Sequence, residues 1–271
     1  MKYRLLAIDI DDTLLPRNGV ISEKNKQAIR RAEEAGVYVT IATGRGFYGS
    51  SRVWKELNIN RLIINYGGAL INDTVTGKPF MVTELESGLV NEILCLGESM
   101  GLHTHLYQGD EIVYEHEHIY GKVYAEHLGL PARIEPNIRN MTWKNVPKVL
   151  IITEPDRVPG LLKFFTERFK DRVAVSASSP GFIEFNRIGA SKGSALRILA
   201  EHLGIDISET AAIGDNTLDK EMIEYAGIGC CVADGNDEVK AIADVIAPSC
   251  ADDGVAYFIN KYILDNNCAE A

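Results

Sequence analysis

The sequence predicts an α/β protein, a doubly wound parallel core sheet interrupted by an inserted α+β domain. Three observations predict it. Short continuous apolar runs, each the length of a strand buried on both faces, alternate with helical patterns at the start of the chain and again at its end. Two of these runs stop at acids, the first at Asp9, Asp11 and Asp12 and a late one at Asp215. Between them the alternation gives way to antiparallel texture over roughly 100 residues, about the size of a small domain.

The elements follow in order. Leu5 to Ile10 is an apolar run closed by acids, the reading for a buried strand. Ser22 is placed to cap a helix from Glu23 to Ala35, with Ala28, Ile29, Ala32 and Ala35 on one face and Gly36 as its stop. Val37 to Thr43 reads as a second buried strand, followed by a glycine-rich turn and a helical stretch from about Tyr48 to Leu57. A third run, Arg61 to Tyr66, ends at Gly67 and Gly68. Phe80 to Thr83 then leads into a helix from about Ser87 to Met100 and strand-like runs near Leu102 to Tyr107 and Glu111 to Tyr114. A helix near Ile119 to His127, a strand at Lys148 to Thr153, a helix at Val158 to Phe169 and strands at Val173 to Ala177 and Phe182 to Arg187 complete the insert. Alternation returns with a helix at Gly193 to His202, a strand at Ala211 to Gly214, a helix at Leu218 to Tyr225 and short runs at Gly229 to Val232 and Val245 to Ala247. The expected organisation is a core of residues 1–82 and 187–271 around an insert of residues 83–186.

Composition narrows the function. The 271 residues suffice for one large or two modest domains, and 46% apolar with 24% charged residues are globular values. Lys and Arg number 28 against 38 Asp and Glu, a net charge of -10 that repels nucleic-acid phosphates and anionic bilayers alike. Neither nucleic acid nor membrane is an expected partner. Cys95, Cys230, Cys231, Cys250 and Cys268 are odd in number and lack C-x-x-C spacing, which fits a reducing compartment. The run from Tyr3 to Ile8 is cut by acids too soon for a signal peptide, so the cytoplasm is the expected location.

Asp9, Asp11 and Asp12 crowd three carboxylates just past a strand, an arrangement that is costly without a cation. Open α/β sheets bind ligands in the crevice at the carboxyl ends of their strands, which both Asp9 and Asp11 can address. Gly214-Asp215-Asn216-Thr217-Leu218-Asp219 repeats the arrangement, with Asp219 one turn on from Asp215. If the two acidic ends converge, the oxygen ligands suit Mg²⁺. Thr43 and Gly44, between the second strand and its helix, offer a hydroxyl and backbone N–H groups to an anion. Lys192, flanked by Gly189 and Gly193 ahead of a helix, offers a positive charge.

Two further patterns carry less. Gly44-Arg45-Gly46-Phe47-Tyr48-Gly49 matches the dinucleotide fingerprint G-x-G-x-x-G, but it does not follow the first strand, and the next strand ends in Asn65 where an acid is wanted. His103 with His105, and His116 with His118, each lie two apart on one strand face, and four such imidazoles would suit zinc or copper.

Taken together, Asp9-x-Asp11-x-Thr13, Thr43-Gly44-Arg45, Ser191-Lys192-Gly193 and Gly214-Asp215-x-x-x-Asp219 stand in the order of four motifs. By them the chain resembles the haloacid dehalogenase-like phosphatases of the Cof-type branch, with a Rossmann-like core and a large α/β cap. The resemblance spans the whole chain. It implies a Mg²⁺-dependent phosphatase acting on a small phosphorylated metabolite, a sugar phosphate or phosphorylated cofactor, through an aspartyl phosphate. In that reading Asp9 is the nucleophile and Asp11 the general acid and base. Thr43, Gly44, Lys192 and Asn216 bind phosphate; Asp9, Asp11 through its backbone carbonyl, and Asp215 hold the metal; and Asp219 supports the metal waters or Lys192. Leu218, Gly67 and Asp12 stand where the family often has Asn, Asn and Gly. The rival expectations are a phosphosugar mutase or phosphotransferase, and a phosphate-ligand sensor without turnover.

Overall fold

The structure, a computed structural model, describes residues 2–17, 19–177 and 180–265. Cys268 lies outside the described residues. The chain divides into two compact units, one of residues 2–45, 50–80 and 191–265, the other of residues 46–49 and 81–190. The chain begins with β1 (Leu5–Ile8), α1 (Glu23–Glu34), β2 (Tyr38–Ile41), α2 (Phe47–Glu56), β3 (Leu62–Asn65), β4 (Leu70–Asp73) and β5 (Pro79–Val82), all in the first unit except the start of α2 and the end of β5. The second unit carries α3 (Ser87–Ser99), β6 (His103–Gln108), β7 (Glu111–Tyr114), α4 (Ile119–Leu128), β8 (Ala132–Ile134), β9 (Lys148–Ile152), α5 (Val158–Arg168), β10 (Val173–Ser176) and β11 (Phe182–Arg187). The first unit resumes with α6 (Lys192–His202), β12 (Thr210–Gly214), α7 (Lys220–Tyr225), β13 (Ile228–Val232), α8 (Asp237–Lys240), β14 (Val245–Ala247) and α9 (Gly254–Phe258).

The first unit is built on five parallel strands in the order β14-β13-β12-β1-β2. Every residue of β1, β12 and β13 is buried, as continuous apolar runs require when helices cover both sheet faces. The chain winds outward from β1 toward β2, then returns to add β12, β13 and β14 on the other side. The switch point therefore lies between β1 and β12, and the strand carboxyl ends at such a point are where open α/β sheets bind ligands. β3 touches this sheet through a parallel bridge between Ala42 and Ile64, and otherwise pairs antiparallel with β4, a strand not anticipated from the sequence. The reversal is made by Gly67 and Gly68, with φ of 62° and 100°.

Gly68 also meets the start of α6, since a Cβ there would lie 1.9 Å from Ser191 O. Gly68→Ala is expected to destabilise the protein by about 3 kcal/mol, combining overpacking with a left-handed backbone that disfavours a side chain. The shift of the urea midpoint measures it; a loss below about 1 kcal/mol would mean that the turn does not brace α6.

The second unit is a six-stranded sheet in the order β10-β11-β9-β6-β7-β8, antiparallel except for β7 with β8. Leu94, Leu106, Val149, Ile151, Phe165 and Phe185 belong to its apolar core, on the sheet face that packs against α3 and α5. α4 lies against the opposite face, where β6 turns His103, His105 and Tyr107.

Candidate active site

Asp9 follows β1, and its N–H donates to Ile213 O at 3.0 Å, so the end of β1 lies beside the end of β12 and hence Asp215. On the other side Ala42 N–H donates to Ile8 O at 2.9 Å, which brings Thr43 alongside. Ser191 caps α6 in a reciprocal capping box with Ser194, fixing Lys192 as the first residue of the helix. Lys192 Nζ, 1% exposed, donates to Asp9 Oδ1 at 2.6 Å and to Asp219 Oδ1 at 2.5 Å. Oxygens of Asp9, Asp215 and Asp219 lie within 4.8 Å of one another.

The loop after β12 is shaped by its own polar groups. Asp219 Oδ2 accepts from the N–H groups of Asp215 and Asn216 at 3.0 and 3.1 Å. Asp215 Oδ1 accepts from Thr13 Oγ1 at 3.0 Å and from Asn216 Nδ2 at 3.2 Å, while Asn216 Oδ1 accepts from Leu218 N–H at 2.9 Å. Asn236 N–H, from the turn before α8, donates to Asp215 O at 2.7 Å.

Burial, joined by the charge of Asp219, pushes the Asp9 carboxyl well above the ordinary carboxylate range, and Lys192 does not cancel it. Burial and Asp219 likewise push Asp215 up to about 6, against Thr13 and Lys192. Burial works against charge on Lys192, but Asp219 and Asp9 outweigh it and hold the ammonium protonated. Lys192 is shared between Asp9 and Asp219, and one ammonium cannot balance them and Asp215 together. Three carboxylates and one ammonium carry a formal charge of -2, which one divalent cation would neutralise. Among the described residues Asp9 Oδ2 is buried with no hydrogen-bond partner, a costly state for a carboxylate oxygen unless a cation takes its lone pairs. An all-oxygen donor set suits a hard ion, so these residues fit Mg²⁺.

The remaining sequence candidates lie around this cluster. Thr43 is fully buried, and its Oγ1 accepts from Arg45 N–H at 3.1 Å. Leu218 Cδ1 lies 3.6 Å from where a Cβ on Gly44 would stand, so the loops after β2 and β12 meet. The Asp11 carboxylate is apart from the buried acids: its side chain is 53% exposed and is held by Arg45, Nε to Oδ2 at 2.9 Å and Nη2 to Oδ1 at 2.5 Å. Arg45 was legible only as part of a motif; its pairing with Asp11 across 34 residues was not. Arg45 itself belongs to the turn that mimics a dinucleotide fingerprint. Asp12 has a φ of 58°, the left-handed conformation glycine adopts most easily and Asp tolerates.

Among the described residues the four histidines do not gather as one set of metal ligands. His103 Nε2 and His105 Nδ1 are 3.1 Å apart and hydrogen-bonded in the second unit, and His118 Nδ1 accepts from Tyr120 N–H at the start of α4. Gly121 allows α4 to close over them, since a Cβ there would lie 2.6 Å from His103 Cε1. Burial, joined by the nearby His118, lowers His103 to about 3, and burial lowers His105 well below its usual value. Both bind a proton more readily when unfolded. Their neutral forms therefore stabilise the fold fully above about pH 6.5, and this is lost as pH falls toward the folded pKa values. Between pH 6.5 and 5 we expect unfolding free energy to drop by up to about 1.4 kcal/mol per pH unit for each histidine. Denaturation of wild type and of His105→Gln across that window tests it; equal slopes would contradict the assignment.

Residues 6–259 match the haloacid dehalogenase-like hydrolase family. A Streptococcus pyogenes protein is 33% identical over 98% of this chain and 100% of its own length. The 5-amino-6-(5-phospho-D-ribitylamino)uracil phosphatase YitU of Bacillus subtilis is 29% identical over 96% of this chain and 98% of its own. Among solved structures, a haloacid dehalogenase-like hydrolase from Bacteroides thetaiotaomicron superposes with a TM-score of 0.84 at 28% identity, covering 95% of this chain and 98% of that one.

Proposed function

Because the chain belongs to the haloacid dehalogenase-like hydrolases, we propose that it is a Mg²⁺-dependent phosphatase that hydrolyses a small phosphorylated metabolite through an aspartyl phosphate. The observation that carries this reading is the buried Lys192 bridging Asp9 and Asp219 while Asp9 Oδ2 has no partner. Such a carboxylate is oriented, desolvated and free to attack. A primary phosphate ester of a sugar or polyol is the favoured substrate class, in keeping with the phosphoribityl compound in the name of YitU. The free thiols Cys95, Cys230, Cys231 and Cys250 favour the cytoplasm, and no helix among the described residues is long and apolar enough to cross a membrane.

Asp9, Asp215 and the backbone carbonyl of Asp11 would hold Mg²⁺, which when bound cancels the repulsion between carboxylates and phosphoryl oxygens. Asp11, once parted from Arg45, takes up a proton from solvent; Asp9 then attacks phosphorus, the bond to the ester oxygen breaks, and Asp11 gives that oxygen its proton. In the second half Asp11 takes a proton from water, whose oxygen displaces Asp9 from phosphorus and frees inorganic phosphate. Lys192 has one N–H beyond those given to Asp9 and Asp219, and with the Thr43 hydroxyl and the Gly44 backbone it holds phosphoryl oxygens. Asn216 acts there chiefly by shaping the Asp215 loop. Residues of the insert, 83–186, select the organic part of the substrate.

Phosphate release from a panel of sugar, polyol and cofactor phosphates tests the proposal. Turnover is expected with Mg²⁺, lost in EDTA and restored by added Mg²⁺. Asp11→Asn should lose about 10² to 10⁴ on alkyl esters and much less on an aryl phosphate, whose leaving group needs no proton. Full turnover in EDTA would sink the metal requirement. Isomerised product without free phosphate would mark a mutase.

A further inference from the structure

We propose that the second unit carries a separate metal site, formed by Glu98, Glu115 and His116, for a transition-metal dication such as Zn²⁺ or Co²⁺. Glu98 lies in the last turn of α3, and Glu115 and His116 directly follow β7. One ligand-type atom from each lies within 4.8 Å of the others. All three line one cavity of about 150 Å³, whose wall also includes the imidazole residues His103 and His118. Three further features favour a cation there. The C-terminal end of a helix is its negative pole, and α3 runs 13 residues to it. Arg139 Nε and Nη2 both address Glu115 Oε1, at 3.1 and 2.6 Å, so the guanidinium leaves Glu115 Oε2 for another partner. Two carboxylates against one guanidinium leave a formal -1 beside the imidazole of His116, so a dication is still attracted.

An imidazole in the donor set distinguishes this site from the all-oxygen cluster of the first unit and selects a borderline ion over Mg²⁺. Zinc bonds to nitrogen and oxygen of about 2.0–2.2 Å place tetrahedral ligands about 3.4 Å apart. The three side chains must therefore draw in by about 1 Å, an adjustment that the exposure of Glu98 and His116 leaves room for. Water completes the coordination. The bound ion would clip the end of α3 to the end of β7.

The test is a Co²⁺ titration of the full chain in saturating Mg²⁺, read by visible d–d absorption, with Zn²⁺ competition. We expect one Co²⁺ per chain, displaced by Zn²⁺, and affinity reduced about tenfold or more in His116→Ala and in Glu98→Gln. Both variants alter exposed side chains, and circular dichroism verifies that they fold. Asp215→Asn should bind Co²⁺ as wild type does. Absence of Co²⁺ binding, binding unchanged in His116→Ala and Glu98→Gln, or binding lost in Asp215→Asn would each overturn the proposal.

Discussion

Asp9→Asn is expected to abolish phosphate release, by at least about 10⁴-fold, while the protein stays folded. The substitution keeps shape and one hydrogen-bond acceptor for Lys192 but removes the anion that attacks phosphorus. Stability should hold or rise, because Asp9 is buried beside two other acids, and a neutral amide relieves that repulsion. Substrate affinity should also survive, since less negative charge then faces the phosphate. Single-turnover phosphate release and ligand-induced melting shifts measure the two effects separately. Wild-type turnover in Asp9→Asn would eliminate the covalent route and leave direct attack by water as the better account.

Lys192→Met should have the second-largest effect, because it damages both stability and turnover. Methionine nearly preserves volume but deletes, among the described residues, the one cation hydrogen-bonded to Asp9 and Asp219, whose side chains are 3% and 0% exposed. Breaking a buried charge pair in this way costs about 3–5 kcal/mol. Part of the loss should return with Mg²⁺, since an ion that binds only the folded state stabilises it by mass action. Turnover should not return, because the donor to the phosphoryl oxygens is gone. Urea midpoints in EDTA and in Mg²⁺ check this; a loss under about 1 kcal/mol in EDTA would show that Lys192 is not the counter-ion of the cluster.

The parts of this fold legible in the sequence were those dictated by local pattern. Continuous apolar runs marked β1, β2 and β12, and the acids that end two of them marked the site. Ser22 marked the start of α1, where its side chain accepts from Asn25 N–H. β4 and β8 were not legible. β4 reads Leu-Ile-Asn-Asp with no clear period, and β8 has three residues, Ala132 and Ile134 of them exposed. The bond from Thr13 to Asp215 and the pairing of Arg45 with Asp11 depend on how distant loops meet, which no local pattern encodes. The two-residue spacing of His103 and His105 correctly placed them on one face of β6. What the spacing left open was the covering of that face by α4, which makes them a buried pair instead of ligands.

The order of strands has a consequence for how the protein is made. In the five-stranded sheet Leu5 of β1 pairs with Tyr38 of β2 on one edge and with Thr210 of β12 on the other. A ribosome adding about 5–20 residues per second needs about 10 to 40 s to travel from the first of those partners to the last. The second unit, almost wholly the continuous stretch 81–190, emerges in that interval and can mature on its own schedule. The first strand meanwhile has an apolar edge and no neighbour on that side, the kind of template on which nascent chains stick to each other. Guarding that edge is work for chaperones that hold emerging chains. A chain cut short before β12 keeps the insert and lacks Asp215, Asp219 and the loop that shapes them, so the proposed reaction centre is among the last things synthesis completes.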